Sequence, residues 1–346
     1  MTADAVVVGA GLAGACAALV LSRDREVVVV EAERPAAGAS GAAAGLANPF
    51  MGRKARPAWR HSQALDALAA LTDEAGAPLR RTGIVRPARS PAQAEAFRQQ
   101  ARAFAGLDWL APTASAERFP LVAAPYGTLW VADGASVDVS AFVRAALATA
   151  TARGARVVTG RVEGLRKQTA ITGHEPISGR HVVVAVGDGY ASLHSLAHLP
   201  FHRVKGQTVT LARPAGLPPD HPAVAGAGYV VPGLEGVIAG ATFEHTFAST
   251  APDPARDAEL GARAAALVPS LAGAAVLGRS AGVRLTVPAV VSPRRLPLAG
   301  PLPGVDDVWV VGGLGAKGLM TAPLIASLLP GALAGRRPLP PELWPI

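Results

Sequence analysis

Runs of consecutive apolar residues recur along the chain with no polar position inside them. They occupy residues 5–8, 27–30, 182–186 and 308–311. A run of this kind leaves no side chain for solvent, so it predicts a strand buried on both faces of a parallel sheet. The second run is followed directly by Glu31 and the other three by glycine. Both ends of the chain therefore have units typical of parallel α/β folds.

Helices and further strands are predicted between these runs. The helices are expected at residues 12–23, 59–75, 91–105, 139–153, 255–268 and 318–333. The other strands are expected at residues 83–89, 126–131, 155–162, 204–211, 228–231, 237–242 and 278–287. This order predicts an α/β fold. A Rossmann-like nucleotide-binding domain would be assembled from discontinuous segments, with a mixed-sheet α+β domain inserted.

A glycine pattern follows the first apolar run. Gly9 would allow a tight turn, Gly11 would let a pyrophosphate approach the backbone, and Gly14 would let the next helix pack close to the strand. That helix would direct its N-terminal N–H groups at the phosphates. Glu31 can accept hydrogen bonds from ribose hydroxyls, and its charge disfavours the 2′-phosphate of NADP. Together these residues predict a dinucleotide-binding unit.

Composition narrows the class of protein. The chain has 346 residues, of which 50% are hydrophobic and 17% charged, as expected of a globular protein with a large core. Its single cysteine, Cys16, excludes an intrachain disulfide and a cysteine-based metal site, and its place in the first helix predicts a buried side chain. The eight histidines have no metal-ligand spacing, so no metal is predicted.

Charge and hydropathy leave the partner open. The formal net charge of +8 is compatible with an anionic partner, RNA included. It equally fits a globular surface, because the basic residues are scattered singly or in pairs. No run is judged long and apolar enough to span a membrane, and the N-terminal run lacks the basic flank of a signal peptide. We expect a cytoplasmic protein.

Further short motifs occur in a fixed order and carry a family resemblance. They are Gly38-Ala39-Ser40-Gly41, Lys205-Gly206-Gln207, Tyr229-Val230-Val231-Pro232, Gly240-Ala241-Thr242, Gly282-Val283-Arg284 and the terminal Gly313-Leu314-Gly315-Ala316-Lys317-Gly318-Leu319. With the N-terminal glycines, the chain resembles the FAD-dependent amine oxidoreductases of the D-amino acid oxidase and glycine oxidase type along almost its whole length. Within that group it is similar to the oxidase half of the bifunctional enzyme that makes 5-methylaminomethyl-2-thiouridine in tRNA.

The resemblance implies noncovalent FAD and a set of residues around it. Besides Gly9, Gly11, Gly14 and Glu31, these are Ala39, Ser40, Gly41, Val162, Gly187, Gly313, Gly315, Lys317, Gly318 and Leu319. Ser40 could instead cap a helix. The expected FAD-binding domain comprises residues 1–80, 134–200 and 284–346, and the substrate domain comprises residues 81–133 and 201–283.

Three residues match catalytic positions of the family. Arg284 would hold a substrate carboxylate in the fork of its guanidinium, the alternative being a surface ion pair. Tyr229 would orient the substrate, or else be a half-buried strand residue. Lys317 would lie near the flavin ring and stabilise negative charge on it, or else be an exposed loop residue. Gly206 would allow a close backbone approach or a bend.

We expect an FAD-dependent amine oxidoreductase, and of the three functions considered the first is the main prediction and the other two are alternatives. The first is FAD-dependent oxidation of glycine, an N-substituted glycine or a D-amino acid by hydride transfer to flavin, followed by imine hydrolysis. The second applies the same chemistry to the carboxymethylaminomethyl group of a tRNA uridine. The third is a flavin-binding scaffold or electron carrier without amine turnover.

Overall fold

The computed structural model describes residues 3–173, 175–233 and 235–344. Within those ranges the chain forms twenty strands. In chain order they are β1 (Ala3–Val8), β2 (Val27–Glu31), β3 (Leu46–Ala47), β4 (Phe50–Met51), β5 (Arg56–Pro57), β6 (Ile84–Pro87), β7 (Leu107–Leu110), β8 (Thr128–Val131), β9 (Ala135–Ser136), β10 (Arg156–Thr159), β11 (Val162–Arg166), β12 (Thr169–Thr172), β13 (Ile177–Val184), β14 (His202–Leu211), β15 (Ala223–Ala225), β16 (Tyr229–Pro232), β17 (Val237–Gly240), β18 (Val276–Thr286), β19 (Leu298–Pro301) and β20 (Val308–Gly312).

Seven α-helices lie in the same described ranges. They are α1 (Leu12–Leu21), α2 (His61–Glu74), α3 (Pro91–Ala103), α4 (Pro112–Arg118), α5 (Val139–Ala152), α6 (Asp257–Leu267) and α7 (Gly318–Leu333). Local sequence explains several starts: the side chain of Ser90 accepts a hydrogen bond from the third residue of α3, and Asp138 does the same for α5. All six helices expected from the sequence are present, and α4 is additional.

The first large sheet contains the apolar runs. Its order is β10-β2-β1-β13-β12-β11, and β20 pairs with β13 on one side and β19 on the other. The pairs that join β10, β2, β1, β13 and β20 are all parallel. This confirms the predicted buried parallel strands, which are covered on both faces by separate apolar clusters.

Helices α1, α2, α5 and α7 share one of those clusters. Cys16 is completely buried there, as predicted, and burial raises the pKa of its thiol. The expectation that no segment is long and apolar enough to span a membrane is wrong by length and composition, because residues 315–333 meet that test. In the structure this segment packs against α1 and α2, and 61% of it is buried, as in the core helix of a folded domain.

The second large sheet has the order β18-β14-β17-β16-β15-β6-β8-β7. Its pairs are antiparallel except β15 with β6, so the predicted mixed sheet is confirmed. Helix α6 covers one face through an apolar cluster. The opposite face packs against the segment that follows β2, including Ala44 and Phe50. The division into five chain segments stays a prediction, and β18 runs across the expected boundary at residues 283–284.

Candidate active site

The carboxyl ends of the parallel strands meet at one edge of the first sheet. Strand β1 leads into Gly9, β2 ends at Glu31, β13 leads towards Gly187, and β20 leads into Gly313. In open α/β sheets, ligands bind in the crevice outside the carboxyl ends of the strands. The tertiary structure therefore brings most of the predicted cofactor residues to one edge.

The first glycine turn is built for a close approach of backbone to backbone. Gly9 has a φ of +98°, and a Cβ atom there would lie 2.6 Å from the carbonyl oxygen of Ala185. A Cβ atom on Gly14 would lie 1.8 Å from the carbonyl oxygen of Gly9. Helix α1 can therefore begin directly above the end of β1, with its first N–H groups facing the crevice.

Two predicted polar residues hold this turn. The Glu31 carboxylate accepts hydrogen bonds from the backbone N–H of Ala10, at 2.6 Å, and of Glu33, at 3.0 Å. The Ser40 hydroxyl accepts from the N–H of Leu12 at 2.9 Å, so Ser40 caps α1 from a distant loop. The capping alternative for Ser40 is thus realised, and its hydroxyl lies at the helix terminus where a phosphate would bind.

The loop after β2 that contains residues 38–41 packs against the second sheet. A Cβ atom on Gly282 of β18 would lie 2.6 Å from the Cα of Ala39, and one on Gly41 would lie 2.3 Å from the carbonyl oxygen of Ala36. The close contact with Ala39 requires a residue without a side chain at position 282, so this is a point at which the loop after β2 meets the second sheet.

The terminal glycine turn forms the other side of the crevice. Gly313 and Gly315 have φ values of +71° and +56°, and Leu314 forms a β-bridge with Thr286 at the end of β18. Gly318 begins α7 close to α1, since a Cβ atom on Gly318 would lie 3.6 Å from the Cδ2 of Leu12. The N-termini of two long helices therefore lie side by side, and both dipoles favour negative charge there.

Other predicted cofactor residues have a less direct position. Val162 starts β11 with its side chain in an apolar cluster, and Leu319 is buried in α7. Gly187 opens a short 3₁₀ turn after β13. The Lys317 ammonium donates to the backbone oxygen of Arg294 at 2.7 Å, and burial lowers the pKa of Lys317. The cofactor roles of these residues stay predictions.

Arg284 lies on β18 between the two loops. Gly282 lies against Ala39 of the loop after β2, and Thr286 forms a β-bridge with Leu314 of the terminal turn. Since residues two apart share one face of a strand, Arg284 lies on the same face as both. The Arg284 guanidinium lies over Gly206, where a Cβ atom would come within 2.6 Å of Nη2. Nη2 donates to the carbonyl oxygen of Thr242 at 3.2 Å. Burial lowers the pKa of Arg284, and no carboxylate pairs with it among the described residues.

Tyr229 lies on the same face as Arg284. It pairs with Gly240, and a Cβ atom on Gly240 would lie 2.7 Å from the phenol oxygen, so Gly240 makes room for the ring. Burial raises the pKa of Tyr229 to about 12, while the nearby charge of Arg284 opposes that rise. The phenol is therefore neutral at physiological pH and can donate its proton in a hydrogen bond.

The sequence did not indicate the partners of Arg284. The ring centroid of Phe243 lies 4.6 Å from the Arg284 Cζ, and this phenylalanine is 62% exposed. Thr242 and Phe243 come after β17, in a segment that pairs with residues 205–207 of β14. A pairing between separate segments leaves no local signal beyond the short motifs themselves.

Glu244 and His245 follow directly in the same segment. Glu244 pairs with Lys205 and accepts a hydrogen bond from the Thr242 hydroxyl at 2.7 Å. His245 contacts His202, ring nitrogen to ring nitrogen, at 2.9 Å. Among residues 3–173, 175–233 and 235–344, no three His, Cys, Asp or Glu side chains are grouped to hold a metal ion.

The crevice fits FAD by its hydrogen-bond donors and acceptors. Gly9, Gly14 and Gly282 let backbone segments pack closely around this crevice, since a Cβ atom at any of them would clash with neighbouring backbone. Two helix N-termini supply N–H groups for a pyrophosphate, and the Glu31 carboxylate supplies acceptors for hydroxyls. These features suit a dinucleotide whose ring extends towards Arg284.

Comparison with known proteins identifies relatives of the whole chain. The profile of the DAO family, described as FAD dependent oxidoreductase, matches residues 4–329. The bifunctional protein of tRNA 5-methylaminomethyl-2-thiouridine biosynthesis from Polaromonas naphthalenivorans is 31% identical over 99% of this chain and 58% of its own length. Its counterpart from Thiobacillus denitrificans is 33% identical over 97% of this chain and 57% of its own length. The chain thus spans somewhat more than half the length of these relatives.

Solved structures share the fold. Glycine oxidase from Geobacillus kaustophilus superposes with a TM-score of 0.85 at 23% identity, covering 97% of this chain and 95% of that one. Iminodiacetate oxidase from Chelativorans sp. BNC1 superposes with a TM-score of 0.83 at 22% identity, covering 97% of both chains. These matches confirm the predicted fold class.

Proposed function

The chain belongs to the DAO family of FAD-dependent oxidoreductases, and on that basis we propose that it oxidises the carbon–nitrogen bond of an amine that carries a carboxylate. Candidate substrates are glycine, an N-substituted glycine such as iminodiacetate, and a D-amino acid. The observation that carries the proposal is Arg284, a half-buried guanidinium without a carboxylate partner in the described chain, at the junction of the two sheets.

The chain's own residues would hold FAD at the crevice. Gly9, Gly11 and Gly14 with the start of α1 would receive the pyrophosphate, Glu31 the ribose, and the turn at 313–318 the flavin end. Bound FAD would supply the acceptor for the two electrons and the hydrogen that leave the carbon next to nitrogen, and water would hydrolyse the resulting imine. The protein's part is to hold the amine and exclude competing reactions.

Arg284 would hold the substrate carboxylate. One of its N–H groups is already bonded to the Thr242 carbonyl, which leaves the others for a two-point contact with a carboxylate. Because the guanidinium is partly removed from water, that contact is stronger than at an exposed site. The carbon next to the carboxylate would then have a fixed position relative to the crevice.

Tyr229 would complete the carboxylate site. Its neutral phenol lies on the Arg284 face of the sheet and can donate to a carboxylate oxygen without adding charge. Lys317 would act on the flavin side of the site, because its ammonium hydrogen-bonds to residues 294–295 and so holds the terminal glycine turn.

We propose that segments 81–133 and 201–283 form the substrate domain. The cytoplasmic location stays a prediction.

The test is the visible spectrum of the anaerobic, FAD-loaded protein. Glycine, N-methylglycine, iminodiacetate and a series of D-amino acids are added in turn, and loss of the oxidised-flavin band is recorded. We expect at least one carboxylated amine to bleach the band, and the Arg284→Gln variant to lose that response while retaining FAD. Bleaching by amines without a carboxylate, equally in both proteins, would contradict the role of Arg284.

A second candidate is the carboxymethylaminomethyl group of a tRNA uridine. It is favoured by the tRNA-modifying relatives, by the net charge of +8, and by the exposed Arg53 and Lys54 between β4 and β5. The same spectral assay distinguishes it, because only tRNA bearing that group would bleach the flavin. Its binding would weaken steeply with salt as phosphate contacts are screened. A flavin that no amine reduces would favour a scaffold or an electron carrier.

A further inference from the structure

The Lys205-Gly206-Gln207 motif has contacts on both faces of the second sheet. Successive side chains of a strand point to opposite faces, so Gly206 lies on the Arg284 face and its two neighbours on the other. Gly206 supports the guanidinium of Arg284, while Gln207 faces the segment that follows β17. The motif thus links Arg284 on one face of the sheet to the Asp253 end of the segment after β17 on the other face.

Gln207 hydrogen-bonds to that segment through both its side chain and its backbone. Its side chain is fully buried, its Nε2 donates to the Asp253 carbonyl at 2.7 Å, and its Oε1 accepts from the Asp253 N–H at 2.7 Å. Its backbone N–H donates to the Thr242 hydroxyl at 2.9 Å, and its carbonyl accepts from the Thr242 N–H at 3.1 Å. One residue therefore fixes both ends of residues 242–253.

The segment in turn fixes Arg284. The Thr242 carbonyl accepts from Nη2, and the ring of Phe243, the next residue, packs against the guanidinium. Thr242 is paired with Gln207 of β14, and the carbonyl of the preceding Ala241 accepts a hydrogen bond from Arg263 of α6 at 2.8 Å, so the placement of this segment beside β14 and α6 keeps Thr242 and Phe243 against Arg284. A shift of the segment would free the guanidinium to rotate away from Gly206.

We propose that Gln207 is a positioning residue for the carboxylate site. It holds residues 242–253 so that the Thr242 carbonyl and the Phe243 ring orient the guanidinium, and it touches neither substrate nor cofactor. The proposal rests on the proposed function, since it takes Arg284 as the group that binds the carboxylate. Displacements of about 1 Å in a substrate-positioning group cost up to about 100-fold in rate.

The test uses the FAD-loaded protein and glycolate, a carboxylate without an amine, titrated by calorimetry. Gln207→Glu keeps the size of the side chain but turns the donor to the Asp253 carbonyl into an acceptor. We expect its glycolate affinity to fall by about 10- to 100-fold, with KM for the reducing amine rising more than kcat falls. Gln63→Glu, the same change at an exposed position of α2, should leave both unchanged.

The pH profile separates positioning from general damage. A protonated glutamate can again donate to the Asp253 carbonyl, so glycolate affinity of Gln207→Glu should recover as the pH is lowered. The wild type should show no such recovery. If Gln207→Glu does not fold, Gln207→Met, which is neutral and of similar length, takes its place and should weaken glycolate binding at every pH.

A double-mutant cycle with Arg284→Lys identifies the target of Gln207. If Gln207 acts through the guanidinium, its substitution should weaken glycolate binding far less in the Arg284→Lys background than in the wild type. Equal effects in both backgrounds, or wild-type affinity in Gln207→Glu with only a lower melting temperature, would overturn the proposal. Wild-type glycolate affinity in Arg284→Gln would instead overturn the proposed function, which separates the two failures.

Discussion

Gly206 is the residue on which the Arg284 guanidinium rests, so adding a single methyl group there is a direct test of the site. In Gly206→Ala the new Cβ would lie 2.6 Å from Nη2 and 2.9 Å from Cζ. Because these atoms end a flexible side chain, the guanidinium should move and the fold should persist. We expect KM for the carboxylated amine to rise about tenfold, equivalent to roughly 1.4 kcal/mol, as measured by steady-state kinetics.

Gly278→Ala is the matched control for this substitution. It lies on the same strand pair, and its nearest neighbour would be the Cβ of Thr210 at 3.8 Å, an ordinary contact. Its KM should equal that of the wild type. An unchanged KM in Gly206→Ala would mean that Arg284 does not bind the substrate in the conformation described.

The Tyr229 phenol should stay neutral to unusually high pH. Burial raises its pKa from 10.0 to about 12, so between these values the unfolded chain loses a proton that the folded chain retains. Its contribution to stability is therefore complete below pH 10 and is lost as the pH rises towards 12. The free energy of unfolding of the wild type, measured with a denaturant, should fall more over this range than that of Tyr229→Phe. Parallel losses in the two proteins would contradict the buried, neutral phenol.

Helix α1 meets strand β1 at a contact that tolerates no side chain. A Cβ atom on Gly14 would lie 1.8 Å from the Gly9 carbonyl oxygen, and backbone cannot yield as a side-chain tip does. We expect Gly14→Ala to displace the helix N-terminus and to lose bound FAD, measured as the ratio of flavin to protein absorbance. Gly38→Ala, which has open space around it, should keep FAD. Full flavin content in Gly14→Ala would contradict this use of the turn.

The β4–β5 hairpin is held by a buried arginine on the second sheet. Arg86 donates to the carbonyl oxygens of Phe50 and Gly52, and burial lowers its pKa to about 10, so it remains charged at neutral pH. Arg86→Met would remove this donor from the buried Phe50 carbonyl, at a cost of about 1–3 kcal/mol, while the exposed Gly52 carbonyl would keep the N–H of Ala55.

The rate of proteolysis at the hairpin tip measures how firmly Arg86 holds the hairpin. Trypsin should cleave after Arg53 or Lys54, both exposed at the tip, sooner in Arg86→Met than in the wild type. Arg89→Met, at an exposed position just beyond β6, is the control. Equal cleavage rates in Arg86→Met and wild type would show that other contacts hold the hairpin.

The cofactor should contribute to the stability of the molecule as a whole. Its expected residues come from segments far apart in sequence, around residues 9–14, 31, 39–41 and 313–319, so FAD would bridge all of them. When free FAD exceeds its Kd a thousandfold, binding adds about 4 kcal/mol to the free energy of unfolding. Removing FAD should lower the melting temperature in scanning calorimetry, and adding it back should restore the value. Identical transitions with and without FAD would contradict a shared site.

Local sequence patterns were sufficient to predict the parallel strands of the first sheet and the glycine turn after β1. Strands β1, β2, β13 and β20 are apolar runs because both faces of a parallel sheet are buried. Gly9 and Gly14 stand where any Cβ would clash with neighbouring backbone. Short strands such as β3, β5 and β9 escaped prediction, since two residues carry no periodicity. The expectation for the apolar segment 315–333 was wrong because a core helix can match a membrane span in length and composition, and packing alone distinguishes the two.

The sequence by itself predicted the glycine turns, and its resemblance to known flavoenzymes predicted the family and marked Arg284 and Tyr229 as candidate site residues. The surroundings of Arg284 emerged from the folded chain alone: Gly206 beneath it, the Thr242 carbonyl, the Phe243 ring, and Gln207 behind them. These contacts follow from the register of β14 with β18 and with residues 242–244. Register between distant segments is set by packing of the whole sheet, and no local pattern records it.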